Sequence, residues 1–280
     1  MPPVQDANKV ERFYREARYN VDQFAMTGNA DYLTAARENV ETVKTTLAEL
    51  KKLTSSQSGL KELETKIDED VEAVAGYEEL INRASEIVDQ MDRSRKVLDK
   101  AADFFLKNCN DFLNNQKNQI SFLSLSSGSL KPEEIAGKVD KINKINEIIS
   151  LGNDIRLASW RLLAERSAST ASVDMAVFDD ISKKLTALND SVSSDSMEKK
   201  LGQTNIAMNA FKSALTNLLA KYQEEIELNR ERQQVADNVL SLTVEIANSG
   251  IDNTSKTAKS TTGTVATAAN TIVIGLIVLI

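Results

Sequence analysis

The chain has 280 residues and a net charge of −7, with 27% charged and only 5% aromatic residues. It contains no histidine and one cysteine, Cys109, so it cannot form a histidine or cysteine metal site, a histidine-activated nucleophile or an intrachain disulfide. Acidic and basic residues are interspersed, without the basic stripe typical of a nucleic-acid-binding surface. We therefore expect no enzyme activity, no metal or cofactor, and no nucleic-acid partner.

Helix breakers are rare in this sequence. The only prolines are Pro2, Pro3 and Pro132, so no proline interrupts residues 4–131. Apolar residues recur every three or four positions almost throughout, which predicts an all-α fold without strands. Residues 1–8 lack this period and are predicted to be a disordered N-terminal segment.

Two short helices and one long helix are predicted in the first half of the chain. Their apolar stripes are Val10, Phe13, Ala17, Val21 and Phe24 in the first helix, and Leu33, Ala36, Val40, Val43, Leu47 and Leu50 in the second. A polar stretch at residues 54–59 precedes a heptad stripe from Leu60 to Leu123, which predicts one very long helix. Ser-rich and Gly-containing residues 126–132 end that helix.

The second half repeats the same plan. A helix over residues 133–166 is followed by a break at 167–172, a short helix around residues 177–192 and a final long helix from Met197. The order short, short, long therefore occurs twice, which indicates an internal duplication. The simplest packing is two stacked four-helix bundles built from six helices, in which both bundles share the two long helices.

The C-terminus is strongly apolar. Residues 272–280 read IVIGLIVLI without a charge, but a membrane-spanning helix needs about 20 apolar residues. We interpret residues 269–280 as the start of a truncated transmembrane helix. The alternative is a buried C-terminal strand or helix end.

Polar residues interrupt the stripes at several positions. These are Arg15 and Arg18 on the first helix, Arg95 on the first long helix, Arg156 close to Trp160 on the fourth, and Asn229 and Gln233 on the last. Counting from the predicted turns places them at one level of the bundle, to within about one helical turn of 3.6 residues. Arginines in a bundle interior need an anionic partner, and their planar fork fits a carboxylate.

The positions of these arginines leave two interpretations open. In the first, a small carboxylate ligand sits among the converging guanidinium groups. In the second, neighbours such as Glu16, Asp92 and Glu231 pair with the arginines as ordinary surface ion pairs.

Three features together resemble a known family. They are the duplicated helical plan, the segments FYREAR at residues 13–18 and TGNADY at 27–32, and a Ser/Thr/Ala-rich final helix entering the apolar terminus. Over residues 9–268 the chain resembles the helical bimodular sensor domain of bacterial methyl-accepting chemotaxis proteins and sensor histidine kinases. The resemblance implies a periplasmic domain with membrane-proximal and membrane-distal bundles, anchored in the inner membrane and acting as a homodimer.

The resemblance also implies a ligand and a mechanism. Members recognise small organic acids such as di- and tricarboxylates, with a second small-acid site possible in the outer bundle, and they signal by displacing the last helix into the membrane. By similarity, Arg15 and Arg18 contact the ligand, and Gln233, Gln234 and Asn238 would complete the inner site. Specificity for one acid does not follow from these residues.

Two other classes of protein compete with the sensor interpretation. A structural or tethering membrane-anchored helical protein would need the apolar terminus but no small ligand. A pore-forming toxin component would need an amphipathic hairpin, which the short polar loop at residues 126–132 does not supply. An enzyme is the weakest alternative, because neither a nucleophile with a base nor a metal cluster can be assembled.

Overall fold

The computed structural model describes residues 2–55, 60–125, 131–165 and 173–278. They form six helices: α1 (Pro2–Thr27), α2 (Ala30–Ser55), α3 (Lys61–Leu125), α4 (Pro132–Glu165), α5 (Ala176–Asn189) and α6 (Asp195–Val278). No strand occurs in these ranges, so the predicted all-α class is confirmed. The predicted break at 167–172 and most of the loop at 126–132 lie outside the described residues.

Helix α1 begins earlier than the sequence predicts. It starts at Pro2, and Ala7 is already buried, although residues 1–8 were expected to be disordered. Proline is tolerated in the first turn of a helix because the amide that it lacks would have no intrahelical partner there.

A tight turn joins α1 to α2. Gly28 adopts a φ of 69°, a left-handed conformation that favours glycine after a helix C-terminus, and its N–H donates to the Phe24 carbonyl at 2.7 Å. Asn29 caps α2, because its Oδ1 accepts the Asp31 N–H at 3.0 Å. The short turn makes α1 and α2 antiparallel neighbours.

The chain divides into two compact units. Unit 1 comprises Met1–Glu86 and Glu227–Ile280, and unit 2 comprises Ile87–Ile226. Because both boundaries fall inside α3 and α6, each long helix contributes to both units, as predicted from the heptad stripes. The stacking of the two bundles stays a prediction.

Unit 1 is an antiparallel bundle of α1, α2 and parts of α3 and α6. Ion pairs fix the helix directions: Lys51 with Asp68 and Lys44 with Glu78 join α2 to α3, and Lys66 with Glu245 and Arg83 with Glu231 join α3 to α6. In both cases a partner later in one helix pairs with a residue earlier in the other, so α2 and α3 are antiparallel, and so are α3 and α6. Helices α1 and α3 therefore run parallel across the bundle diagonal.

The core of unit 1 is formed mainly by side chains spaced three or four residues apart on each helix. Its buried side chains include Val10, Tyr14, Ala17, Val21 and Phe24 on α1, the predicted stripe on α2, and Leu63, Ile67, Val74, Tyr77 and Ile81 on α3. Tyr14 thus occupies the core position that the sequence analysis gave to Phe13. The second stripe is confirmed at all six positions.

Aromatic rings fill the core of unit 2. Phe211 of α6 packs against Phe178 of α5 at a ring-centroid distance of 5.3 Å and against Phe105 of α3 at 6.1 Å. Gly152 of α4 faces the Phe105 ring, where a Cβ atom would approach Phe105 Cε1 to 2.6 Å. The missing side chain at Gly152 therefore makes room for a fully buried ring.

The described helices contain no stretch that is long and apolar enough to cross a membrane. The predicted span at residues 269–280 ends with residues 279 and 280, which lie outside the described part of the chain.

Gly152→Ala is expected to destabilise the protein by about 1–3 kcal/mol, because overpacking a buried ring outweighs the gain in helix propensity. The matched control is Gly137→Ala on the same helix, where nothing lies within 4 Å of a built Cβ. That control should raise stability by up to about 1 kcal/mol. Urea unfolding of both variants checks the ring contact, and equal stabilisation by both substitutions would refute it.

Candidate functional site

Arg232 places a guanidinium group in the core of unit 1. In the unit 1 part of α6 the buried positions include Leu228, Arg232, Ala236, Val239, Thr243 and Ile246, with the three-four spacing of an inward face. Only 3% of the surface of Arg232 is exposed. Burial of a charged group is costly unless the charge is paired and hydrogen-bonded.

The partners of Arg232 satisfy only part of its guanidinium group. Nη2 donates to Asn229 Oδ1 at 2.9 Å and to Asp22 Oδ1 of α1 at 3.3 Å. Nε and Nη1 are buried and have no hydrogen-bond partner among the described residues. These two atoms carry three of the five N–H donors of a guanidinium, so the group retains capacity for an anion.

Arg18 makes a second link between α1 and α6. Its Nη2 donates to Gln233 Oε1, and its Nη1 donates to Asp237 Oδ1 at 3.1 Å. The Arg18 side chain is 31% exposed, so this link lies at the edge of the bundle. We call Arg18, Asp22, Asn229, Arg232, Gln233 and Asp237 the arginine cluster.

A pair of buried tyrosines borders the arginine cluster. The rings of Tyr14 and Tyr77 lie 4.9 Å apart at an angle of 55°. Burial raises the pKa of Tyr77 to about 12, and the nearby charge of Arg232 partly offsets this rise. Burial also raises the pKa of Tyr14, and the charges of Tyr77 and Asp70 add to the effect.

A buried acid lies on the other side of Tyr14. Asp70 of α3 is completely buried, and its Oδ2 accepts the Thr243 hydroxyl of α6 at 2.9 Å. Asp70 Oδ1 and the Tyr14 hydroxyl have no hydrogen-bond partner among the described residues. Burial raises the pKa of Asp70 from 3.8 to about 7, against the lowering effect of the Thr243 hydrogen bond.

The structure brings some of the residues singled out in the sequence analysis together. Arg18 contacts Gln233 directly, and Asn229 contacts Arg232 rather than Arg18. Gln234 and Asn238 are exposed on α6. Arg15 is 62% exposed and pairs with Glu11 at 2.8 Å, as the surface ion-pair interpretation expected for these arginines.

The other three predicted site residues belong to unit 2. Arg95 pairs with Asp92 at 3.7 Å on the surface. Arg156 pairs with Asp103 at 2.7 Å and lies 5.1 Å from the Trp160 ring, while Trp160 Nε1 donates to Asp99. Both arginines thus have carboxylate partners of their own. A ligand contact by any of these residues stays a prediction.

The sequence analysis missed Arg232, Asp70 and Tyr14 as core positions. The spacing of the apolar residues on α6 does predict that Arg232 is buried, because counting back from Ile246 in alternating steps of three and four reaches Arg232. The same holds on α3, where Asp70 lies three residues after Ile67 and four before Val74. A stripe counted only every seventh residue passes over such positions.

The described residues offer no metal centre or reactive thiol. They contain no group of three or more histidine, cysteine or acidic side chains that could hold a metal ion. Burial raises the pKa of Cys109 to about 12, which keeps this thiol protonated and unreactive at neutral pH.

No protein-family model and no curated protein match the chain. The structure is similar to a chain in a crystal structure of the complex of the TorS sensor domain with TorT in the presence of TMAO. The similarity has a TM-score of 0.45 with 15% sequence identity, and it covers 88% of this chain and 96% of that chain.

The stability of the protein should depend on pH through Asp70. Because folding raises the pKa of this carboxyl from 3.8 to about 7, the folded state alone holds its proton between these values. Stability is therefore lost as the pH rises through that interval, by about 1.4 kcal/mol for each pH unit. Asp70→Asn should remove this loss, and Thr243→Val should extend it to higher pH.

Chemical unfolding of the wild type and both variants between pH 4 and 8.5 measures this dependence. The relevant quantity is the difference between wild type and Asp70→Asn, because other groups titrate in both proteins. If the difference in unfolding free energy between wild type and Asp70→Asn does not change with pH, Asp70 does not have a raised pKa in the folded state.

Proposed function

We propose that the chain is the ligand-binding sensor domain of a bacterial transmembrane chemoreceptor or sensor kinase, and that unit 1 binds a small organic acid. The observation that carries the proposal is the buried guanidinium of Arg232, whose Nε and Nη1 find no hydrogen-bond partner among the residues that the structure describes. Replacing a whole buried ion pair by apolar residues is often neutral or stabilising. A purely structural bundle gains little from a buried guanidinium, whereas an anion-binding site requires one.

The arginine cluster has the chemistry to bind a carboxylate between α1 and α6. A guanidinium binds a carboxylate through parallel hydrogen bonds, and this pairing is stronger where water is excluded. Arg18 and Gln233 lie at the solvent-accessible edge of the same interface between α1 and α6. In this proposal Arg232 binds the first carboxylate group and Arg18 binds the second.

The charge of the cluster limits the ligand. Asp22 and Asp237 already face the two guanidinium groups, so the cluster is close to neutral before a ligand enters. A ligand with three negative charges would bring excess charge into a poorly hydrated site. Within the di- and tricarboxylates that the family resemblance suggests, we therefore favour the dicarboxylates.

Binding at this seam suggests a signalling mechanism. The arginine cluster supplies polar links between α1 and α6, and the Asp22 link to Arg232 is long at 3.3 Å. A ligand carboxylate that replaces Asp22 would change the position of α6 against α1, on the scale of about 1–2 Å known for helix shifts. Only a difference in ligand affinity between the two positions can drive this shift.

The remaining features of the proposal follow the family resemblance. We propose that the domain lies outside the cytoplasm, is anchored in the inner membrane through the apolar C-terminal segment, and acts as a homodimer. We also propose that it binds its ligand without chemical conversion. The alternative is a membrane-anchored structural or tethering protein that has no small ligand.

Thermal melting with a panel of mono-, di- and tricarboxylates tests the ligand class. A ligand at 100 times its dissociation constant stabilises the folded state by about 2.7 kcal/mol, so we expect a clear rise of the melting temperature with small dicarboxylates. If no acid shifts the wild-type midpoint, the organic-acid proposal fails and the structural alternative is favoured.

Substitutions at three arginines locate the site. Arg232→Met should abolish the ligand-induced shift and lower the ligand-free midpoint only moderately, because the Asp22 carboxylate that it leaves unpaired is 37% exposed and can be hydrated. Arg18→Gln should weaken the shift. Arg15→Gln is the matched control on the same helix, since Arg15 pairs with Glu11 on the surface. A normal ligand response in Arg232→Met, or its loss in Arg15→Gln alone, would refute this assignment.

A further inference from the structure

Unit 2 contains a groove between α5 and α6 that the proposed function does not use. Its volume is about 270 Å³, and it is lined by Leu185, Asn189, Glu198, Leu201, Gly202 and Asn205, together with Thr186. Pockets for drug-sized ligands usually measure about 300–1,000 Å³. A molecule that fits this groove is therefore small.

Gly202 opens the groove. It lies on α6 four residues after Glu198 and three before Asn205, which puts all three on one face of the helix. A Cβ atom at Gly202 would have nothing within 4 Å, so the space above this residue is free. Glycine in a helix interior costs about 0.5–1 kcal/mol relative to alanine, and packing gives no reason for this cost here.

The polar groups around the groove carry a negative charge and no positive one. Glu198, Asn189 and Asn205 are exposed, and among the described residues Glu198 has no ion-pair partner and neither asparagine has a side-chain hydrogen bond. Asn189 ends α5, and the C-terminus of a helix carries a partial negative charge that favours a cation. Leu185 and Leu201 supply a buried apolar floor.

We propose that this groove binds a small organic amine. Its ammonium group pairs with Glu198 and donates to the amide oxygens of Asn189 and Asn205, and its short hydrocarbon part lies over Gly202 against the two leucines. The site differs from the arginine cluster in position and in the sign of its charge. It also differs from the second small-acid site that the family resemblance allows, because a carboxylate would face Glu198 without a cationic partner in the lining.

Glu198 has a competing structural role. It lies in the first turn of α6, where an acidic residue stabilises the helix N-terminus by about 0.3–1 kcal/mol without any ligand. Glu134 occupies the first turn of α4 and offers a matched control for that role. Gly137 on α4, which also has open space around a built Cβ, is the control for substitution at Gly202.

Ligand titration followed by two-dimensional NMR of the full chain tests the proposal. The probes are ethanolamine and 1,4-diaminobutane, and the controls are ethylene glycol, which replaces the ammonium of ethanolamine by a hydroxyl, and acetate. We expect saturable shifts at the Gly202 amide and at the side-chain amides of Asn189 and Asn205 with the amines alone. Glu198→Gln should weaken binding by about tenfold or more, the loss of a charged hydrogen bond.

Gly202→Leu should abolish amine binding by filling the groove, with helicity checked by circular dichroism. Glu134→Gln and Gly137→Leu should bind the amines as the wild type does. The proposal is overturned if no saturable shift occurs up to 10 mM amine, if acetate produces the same shifts, or if Glu198→Gln and Gly202→Leu both bind normally. Arg232→Met lies outside this groove and should still bind the amines. The amine proposal and the organic-acid proposal can therefore fail independently of each other.

Discussion

The guanidinium group of Arg232 is the constraint on which the account of unit 1 depends. The three-four stripe of α6 directs this side chain into the core, where Asp22 and Asn229 satisfy only Nη2. The residue before it on the stripe is Leu228, and the next is Ala236. A sequence selected for stability alone would place an apolar residue between them.

The charged groups of unit 1 are distributed unevenly over the interfaces between its helices. Between α2 and α3 the charged groups that form ion pairs meet at the surface, as in the Lys44–Glu78 and Lys51–Asp68 pairs. Such exposed pairs contribute at most about 1 kcal/mol each. Between α1 and α6 the charged groups reach into the core. The buried Arg232 thus adds directional polar contacts to the apolar core at this interface.

Periodicity predicts the helices of this chain well, because a stripe of apolar residues is a local property of the sequence. The α2 stripe is buried at all six predicted positions. The phase of a stripe is harder to assign where a polar or aromatic residue occupies a core position, as at Tyr14 and Arg232. A three-residue step from Val10 leads to Phe13, whereas the four-residue step selects Tyr14, which is the buried residue.

The contacts that define the candidate sites join residues far apart in the sequence, so a local sequence pattern cannot predict them. Asp22 and Arg232 are separated by 210 residues in the sequence, and Asp70 and Thr243 by 173. The sequence analysis predicted a ligand site from polar residues on α1, α3, α4 and α6, and ligand binding there stays a prediction. It could not choose among the arginines, because exposed pairs such as Arg15 with Glu11 follow the same helical spacing.

The most direct test of the central claim is the ¹⁵N–¹H resonance of Arg232 Nε during titration with a small dicarboxylate such as succinate. The account predicts a saturable downfield proton shift at Arg232, because an unpartnered N–H becomes hydrogen-bonded to a carboxylate. The Arg15 resonance should not change. An Arg232 resonance that stays constant while the dicarboxylate demonstrably binds elsewhere would contradict the account.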